Sequence, residues 1–96
     1  MPEAKANTGL ASWYQLPGRT ACGQRMNPEA MTAAHRSYPC GTKVRVTNLT
    51  NGRAVVVTIV DRGPFVRGRI VDVSRGAARH IGLIQRGVGR VRVDRL

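Results

Sequence analysis

The segment KVRVTNLTNGRAVVVTIVDRGP, residues 43–64, decides the fold. Its first part, Lys43 to Leu49, alternates polar and apolar residues with period two, the mark of a strand with one wet face. Asn51-Gly52 is a hairpin-turn signal. Arg53 to Val60 then runs β-branched and almost wholly apolar, which predicts a central or barrel strand buried on both sides. Asp61-Arg62-Gly63-Pro64 ends it abruptly. Downstream, Arg69 to Val73 (RIVDV) is another short strand. Ser74 is placed to N-cap a helix over Arg75 to Ile81, and Gly82 suits its C-terminal stop. Gly89 to Val93 (GRVRV) alternates again as a closing strand. Upstream, Gly9 to Tyr14 (GLASWY) reads as a strand, and Ala30 to His35 as a short strand or a helical turn. Gln15 to Glu29 carries two prolines and two glycines and reads as a long loop. Five or six short strands, one short helix and many glycine turns predict a small closed β-barrel. Closure also removes the sheet edges that a lone small sheet would expose.

The chain has 96 residues and 42% apolar content, enough for one core and too short for two. Residues 1–8 read as a flexible leader and residues 9–96 as one domain. No apolar run approaches the roughly 18 residues of a membrane span, so no transmembrane segment is expected. Residues 1–7 lack the apolar stretch of a secretory signal. Sixteen Lys and Arg, fourteen of them Arg, face five Asp and Glu, for a net charge of +11. Such a surface favours polyanions: nucleic acid, anionic lipid or an acidic wall polymer. Aromatic interleaving is sparse and no recognition helix or metal finger is present, so no specific nucleic-acid partner is expected.

Acids are few, which narrows the chemistry. Glu3 lies in the leader, Glu29 in a Pro-containing turn and Asp94 near the end. Asp61 and Asp72 remain inside the ordered body. Asp61 follows an apolar strand at what would be a barrel mouth, where partial desolvation favours the protonated acid that general acid catalysis requires. The simpler reading is an Asp that accepts backbone N–H bonds in a turn, beside Arg62. Asp72 either shares that mouth or assists the start of the helix at Ser74. His35 either orients a carboxylate or hydrogen-bonds a substrate hydroxyl, or it is structural. His80 reads as a surface residue. Trp13 and Tyr14 are adjacent on one strand and point to opposite faces, one toward the core and one outward, where an aromatic beside an acid suits sugar stacking. Cys22 and Cys40 show no CxxC and no His pair at zinc spacing, so no metal site and no cofactor are expected. A disulfide, worth about 3 kcal/mol in the chain-entropy model, or two buried thiols are the readings left; so small a domain favours the staple.

Taken as a set, GLASWY (9–14), GRTACGQRMN (18–27), MTAAH (31–35), PCGTKVRVTNLTNGR (39–53), VDRGPF (60–65) and RIVDVSRGAARHIG (69–82) resemble the rare lipoprotein A family. The resemblance implies a mainly β fold, a six-stranded double-psi β-barrel with one or two short helices, similar to the first domain of expansins. It implies a bacterial envelope protein, periplasmic or outer-membrane-associated, that acts as a monomer on peptidoglycan glycan strands. The implied reaction is lytic transglycosylation between N-acetylmuramic acid and N-acetylglucosamine, leaving a 1,6-anhydro end. The muramyl 6-hydroxyl attacks its own anomeric carbon, so a single acid suffices and the usual carboxylate pair is not obligatory. By motif, Asp61 is the implied catalytic acid, with His35 and Asp72 beside it. Gln24, Trp13, Tyr14 and Arg62 are the implied substrate contacts. The resemblance strengthens the disulfide between Cys22 and Cys40. One departure is Gln24, where the family pattern has Glu. Gln hydrogen-bonds but cannot carry that proton, so a glycan-binding, expansin-like module with little or no catalysis is the alternative.

Overall fold

A computed structural model describes residues 7–14 and 18–96. Residues 1–6 of the expected leader and 15–17 of the expected long loop lie outside them. The described residues form six strands and one short helix: β1 (Thr8–Tyr14), β2 (Thr32–Ala34), β3 (Lys43–Asn48), β4 (Ala54–Asp61), β5 (Arg69–Ser74), α1 (Arg75–His80) and β6 (Val88–Arg95). The strands close into a barrel in the order β1-β5-β2-β4-β3-β6. β1 with β5 and β2 with β4 pair in parallel; the other four pairings are antiparallel. The mainly β, six-stranded barrel is the expected double-psi architecture, and within Ala30 to His35 the residues Thr32–Ala34 form a strand.

The core follows the period-two rule. Val44 and Val46 on β3, Val55, Val57 and Ile59 on β4, Val71 and Val73 on β5, and Val91 and Val93 on β6 point inward and are buried. Ala77, Ala78, Ile81 and Leu83 close one end of this core. Each buried Val or Ile contributes about 1.5–3 kcal/mol relative to exposure. β4 departs from its reading: it is not buried on both sides along its length. Val56 is 43% exposed, because the outer face of a closed barrel meets solvent unless a loop covers it. Only near its C-terminal end, at Val60, does the second face become buried.

Two turns show local chemistry overriding a simple motif. The hairpin forms where Asn51-Gly52 marks it, yet it is wider than two residues: Gly52 N–H donates to the Asn48 carbonyl at 2.7 Å, and Asn48 N–H to the Arg53 carbonyl at 2.8 Å. Both asparagine side chains are engaged elsewhere. Asn48 Nδ2 and Asn51 Nδ2 donate to the Ile81 carbonyl at 2.8 and 3.1 Å, tying the hairpin to the end of α1. At the start of α1, the Ser74 hydroxyl accepts from Ala77 N–H as expected of an N-cap and donates to the Ala30 carbonyl at 2.5 Å. Gly76 lies so close to the preceding loop that a Cβ there would meet the Glu29 carbonyl oxygen at 2.5 Å. Glu29 in turn pairs with Arg75 and Arg79 at 2.5 and 2.6 Å. The loop before β2 is thus held against α1, which sets where β2 enters the sheet.

Candidate active site

Strand register builds the site. Ser12 on β1 pairs with Asp72 on β5, Asp72 pairs with Ala34 on β2, and Ala34 pairs with Asp61 on β4. Four neighbouring strands therefore carry Ser12, Asp72, Ala34 and Asp61 in one line. Asp72 and Asp61 are separated by the single strand β2, which places their Cα atoms roughly 10 Å apart at the usual strand spacing. The small Ala34 forms the floor between them. A register shift between Ala33 and Ala34 brings Asp61 into this line. Such bulges re-aim side chains beside active sites.

The two carboxylates are held differently. Asp61 Oδ1 accepts two backbone N–H bonds, from Ala21 at 2.7 Å and Arg62 at 2.9 Å. Its Oδ2 accepts no hydrogen bond from the described residues, and the side chain is only partly buried. Asp72 Oδ1 accepts from the Ser12 hydroxyl. The turn-capping reading of Asp61 accounts for Oδ1 and leaves Oδ2 without a hydrogen bond from the described residues.

His35 follows β2 directly, and its N–H donates to the Asp61 carbonyl at 3.1 Å. Its Nδ1 accepts from the backbone N–H groups of Ser37 and Tyr38, both at 3.1 Å. That fixes the neutral tautomer with its proton on Nε2. The ring stacks on Tyr38 at 3.8 Å, with planes 7° apart. Burial first, then the charges of Arg62 and Arg36, hold its pKa below the ordinary value. His35 is therefore a neutral Nε2–H donor. It lines an open cavity of about 210 Å³ with Arg36, Ser37 and Ile70. Arg36 shapes this edge by donating to the carbonyls of Pro64 and Arg69 at 2.7 and 2.8 Å.

A pH effect on stability follows with a definite sign. The unfolded chain protonates His35 as pH falls through its ordinary 6.5, while the folded chain resists. Stability conferred by the neutral ring is complete above that pH and declines below it, until the lower folded-state pKa is passed. The thermal midpoint should fall between about pH 7 and about pH 5. The fall should be smaller in His35→Asn, whose Oδ1 can accept the same two N–H bonds. Parallel descents in both proteins would rule His35 out as the source.

The remaining expected site residues are distributed unevenly. Trp13 packs against the core, and Tyr14 is partly buried, so neither aromatic stands free on the surface. Among the described residues no hydrogen bond of ordinary geometry reaches the buried Tyr14 hydroxyl, although the Thr32 side chain lies near it. Burial pushes its pKa up to about 12; the Thr32 side chain opposes the shift, and the charges of Asp61 and Asp72 add to it. Tyr14 thus stays neutral and feels both carboxylates. Arg62 is engaged as a loop clamp: its Nη1 donates to the carbonyls of His35 and Tyr38 at 2.8 and 2.7 Å. Gln24 is exposed on the loop before β2, with its backbone bonded to Thr20. His80 is exposed at the end of α1. Cys22 and Cys40 form a disulfide with Cα atoms 5.9 Å apart. It joins two loops that are each laced to the end of β4: Cys22 N–H donates to the Val60 carbonyl, and Gly41 N–H to the Ile59 carbonyl. Among the described residues no cluster of His, Cys, Asp or Glu could hold a metal ion. Sequence reasoning missed Ser12, Ala34 and the Ala21 N–H. Ser12 was within reach of the period-two rule, since it shares a face with Tyr14.

A family model described as lytic transglycolase matches residues 6–93. This chain belongs to the lytic transglycolase family. The lytic transglycolase domain is 62% identical over 91 residues to the probable endolytic peptidoglycan transglycosylase RlpA of Nostoc sp., covering 90% of this chain and 24% of that protein. It is 56% identical over 92 residues to the endolytic peptidoglycan transglycosylase RlpA of Pasteurella multocida, covering 93% and 31%. The chain thus spans about a quarter to a third of these relatives' length. In structure, the domain is similar to Streptomyces papain inhibitor, with a TM-score of 0.72 and 27% identity over 92% of this chain and 93% of that one. It is also similar to the apo expansin of Clavibacter michiganensis, with a TM-score of 0.76 and 25% identity over 94% and 50%. No described helix of the domain is long and apolar enough to cross a membrane.

Proposed function

We propose that this chain is a peptidoglycan lytic transglycosylase domain that cleaves the bond between N-acetylmuramic acid and N-acetylglucosamine in glycan strands. The observation that carries the reading is Asp61 Oδ2, which no described residue engages, on a carboxylate whose other oxygen is anchored by two backbone N–H groups. An anchored carboxyl with one free oxygen is suited to hand over and take back one proton. In the forward step the Asp61 carboxyl gives its proton to the glycosidic oxygen, and the bond from that oxygen to the muramyl anomeric carbon breaks. The muramyl 6-hydroxyl oxygen bonds to the same carbon, closing the 1,6-anhydro ring, and its proton passes to the Asp61 carboxylate. No water is consumed, so the site needs no second activated carboxylate. His35 Nε2–H is a neutral donor for a sugar oxygen, and Asp72, oriented by Ser12, adds negative charge across the trough where positive charge develops on the sugar. Trp13, Tyr14 and Gln24 border the glycan, while Arg62 acts through the loop it clamps. The disulfide fits an oxidising compartment such as the bacterial periplasm, where the domain works as a monomer, in soluble form or held at the outer membrane.

The test is to incubate the protein with glycan strands stripped of peptides and to look for 1,6-anhydromuramyl ends by mass spectrometry. Such ends are the expected result. Binding without product would overturn the enzymatic reading and favour a glycan-binding, expansin-like module. Gln24, where the family pattern has Glu, and the expansin-like structure support that second reading. It predicts that Gln24→Glu gains activity.

A further inference from the structure

The catalytic reading draws its residues from β1, β5, β2 and β4, and leaves two strands unused. β3 and β6 lie side by side across the barrel and close it. Their outward positions carry Lys43, Arg45 and Thr47 on β3 and Arg90, Arg92 and Asp94 on β6. Register sets Arg45 beside Asp94 and Thr47 beside Arg92, and on the flanking strand it sets Arg90 beside Leu10. Successive outward residues on one strand stand about 7 Å apart, so the wall presents basic groups at close, regular spacing.

Most of these charges have no ion pair among the described residues. Of the four acids in the described residues, Glu29 is held by Arg75 and Arg79, and Asp61 and Asp72 sit in the candidate active site. Asp94 alone lies on the wall, and it pairs with Arg92 at 3.0 Å. Arg45 and Arg90 make no ion pair among the described residues, and Lys43 only donates to the Thr58 hydroxyl at 3.2 Å. Asp61 and Asp72 thus sit on the β4–β5 side of the barrel, and Lys43, Arg45 and Arg90 stand on the β3–β6 wall without an ion pair among the described residues.

Given the proposed action on peptidoglycan, on which this step rests, we infer that the β3–β6 wall docks a neighbouring peptidoglycan strand through the carboxylates of its peptides. The reacting strand lies along the trough of Asp61 and Asp72, on β4 and β5, and leaves the β3–β6 wall free. A peptide-bearing strand meets the cations of the wall, where its carboxylates are attracted. The domain would then hold to the insoluble network while it cuts a stripped strand.

The test compares two variants of equal charge change. Lys43→Gln/Arg45→Gln/Arg90→Gln strips the wall, and Arg25→Gln/Arg67→Gln/Arg86→Gln removes three cations elsewhere. Binding is read by co-sedimentation with insoluble peptide-bearing peptidoglycan, in an Asp61→Asn background so that the polymer survives. The wall variant should bind about tenfold more weakly, from three lost exposed ion pairs, and the control should bind like the parent. With Asp61 restored, turnover of soluble stripped glycan should be the same in all three proteins. Equal weakening in both variants, or none in either, would overturn the wall as a docking surface. Tighter wall-dependent binding to duplex DNA or to anionic lipid vesicles at the same ionic strength would overturn the assigned occupant. Wall-dependent sedimentation by a parent that makes no anhydro product would uphold the wall and sink the enzymatic reading, so the two fail separately.

Discussion

Asp61→Asn should abolish glycan cleavage while leaving the fold in place. The asparagine keeps an Oδ1 able to accept from Ala21 and Arg62, the two bonds that tie the β4 terminus to the loop above it. Only Oδ2 changes, into an amide that cannot pass a proton at neutral pH. A positioned acid or base contributes roughly 10²–10⁴-fold to rate, and in the proposed reaction one group serves both steps, so the loss should reach at least the upper part of that range. The check is anhydro-product formation from stripped strands, alongside thermal melts. Turnover equal to the parent would remove Asp61 from its role. Asp61→Ala is a poorer probe, since it also leaves the Ala21 and Arg62 N–H groups without an acceptor. If the asparagine protein melts like the parent and the alanine protein melts earlier, the two oxygens have separate tasks.

The second large effect is expected from Cys22→Ala/Cys40→Ala. The bridge spans 18 positions of chain, and closing a loop of that size is worth about 3 kcal/mol in the chain-entropy model. For a domain this small, that corresponds to a fall in thermal midpoint of roughly 12–24 °C. Activity should fall as well, because Cys22 follows Ala21, whose N–H anchors Asp61 Oδ1. Cys40 lies in the loop that Arg62 clamps beneath His35. Cutting the bridge loosens both sides of the trough. The same shift should appear when the parent is melted under reducing conditions. An unchanged midpoint in the double variant would show that the lacing of both loops to β4 suffices without the sulfur link.

Much of this was legible along the chain. The alternation in Lys43–Leu49 and Gly89–Val93, the capping Ser74 and the apolar β4 announced their elements, because each is a local pattern answering to a local rule. The six motifs named Asp61 and His35 as candidates through the family resemblance. β4 misled on burial, since an unbroken apolar run looks alike whether its outer face is covered or, as at Val56, open to water. Asn51-Gly52 marked the hairpin, but not the side-chain bonds of Asn48 and Asn51 to the distant Ile81 carbonyl.

Pairing between strands far apart in sequence was not legible. Ser12, Ala34, Asp61 and Asp72 come from four segments, and nothing in any one of them says that they share a row. The sequence by itself determined the residue types: a single free-standing acid after an apolar strand, a histidine after a pair of alanines, and an excess of arginine at alternate positions. Only the closed barrel decided that Asp61 and Asp72 share a row and that Lys43, Arg45 and Arg90 share another wall. The physical reason is that side-chain direction along a strand is a local property, whereas neighbourhood across a sheet depends on register, and register is set by the packing of the whole core.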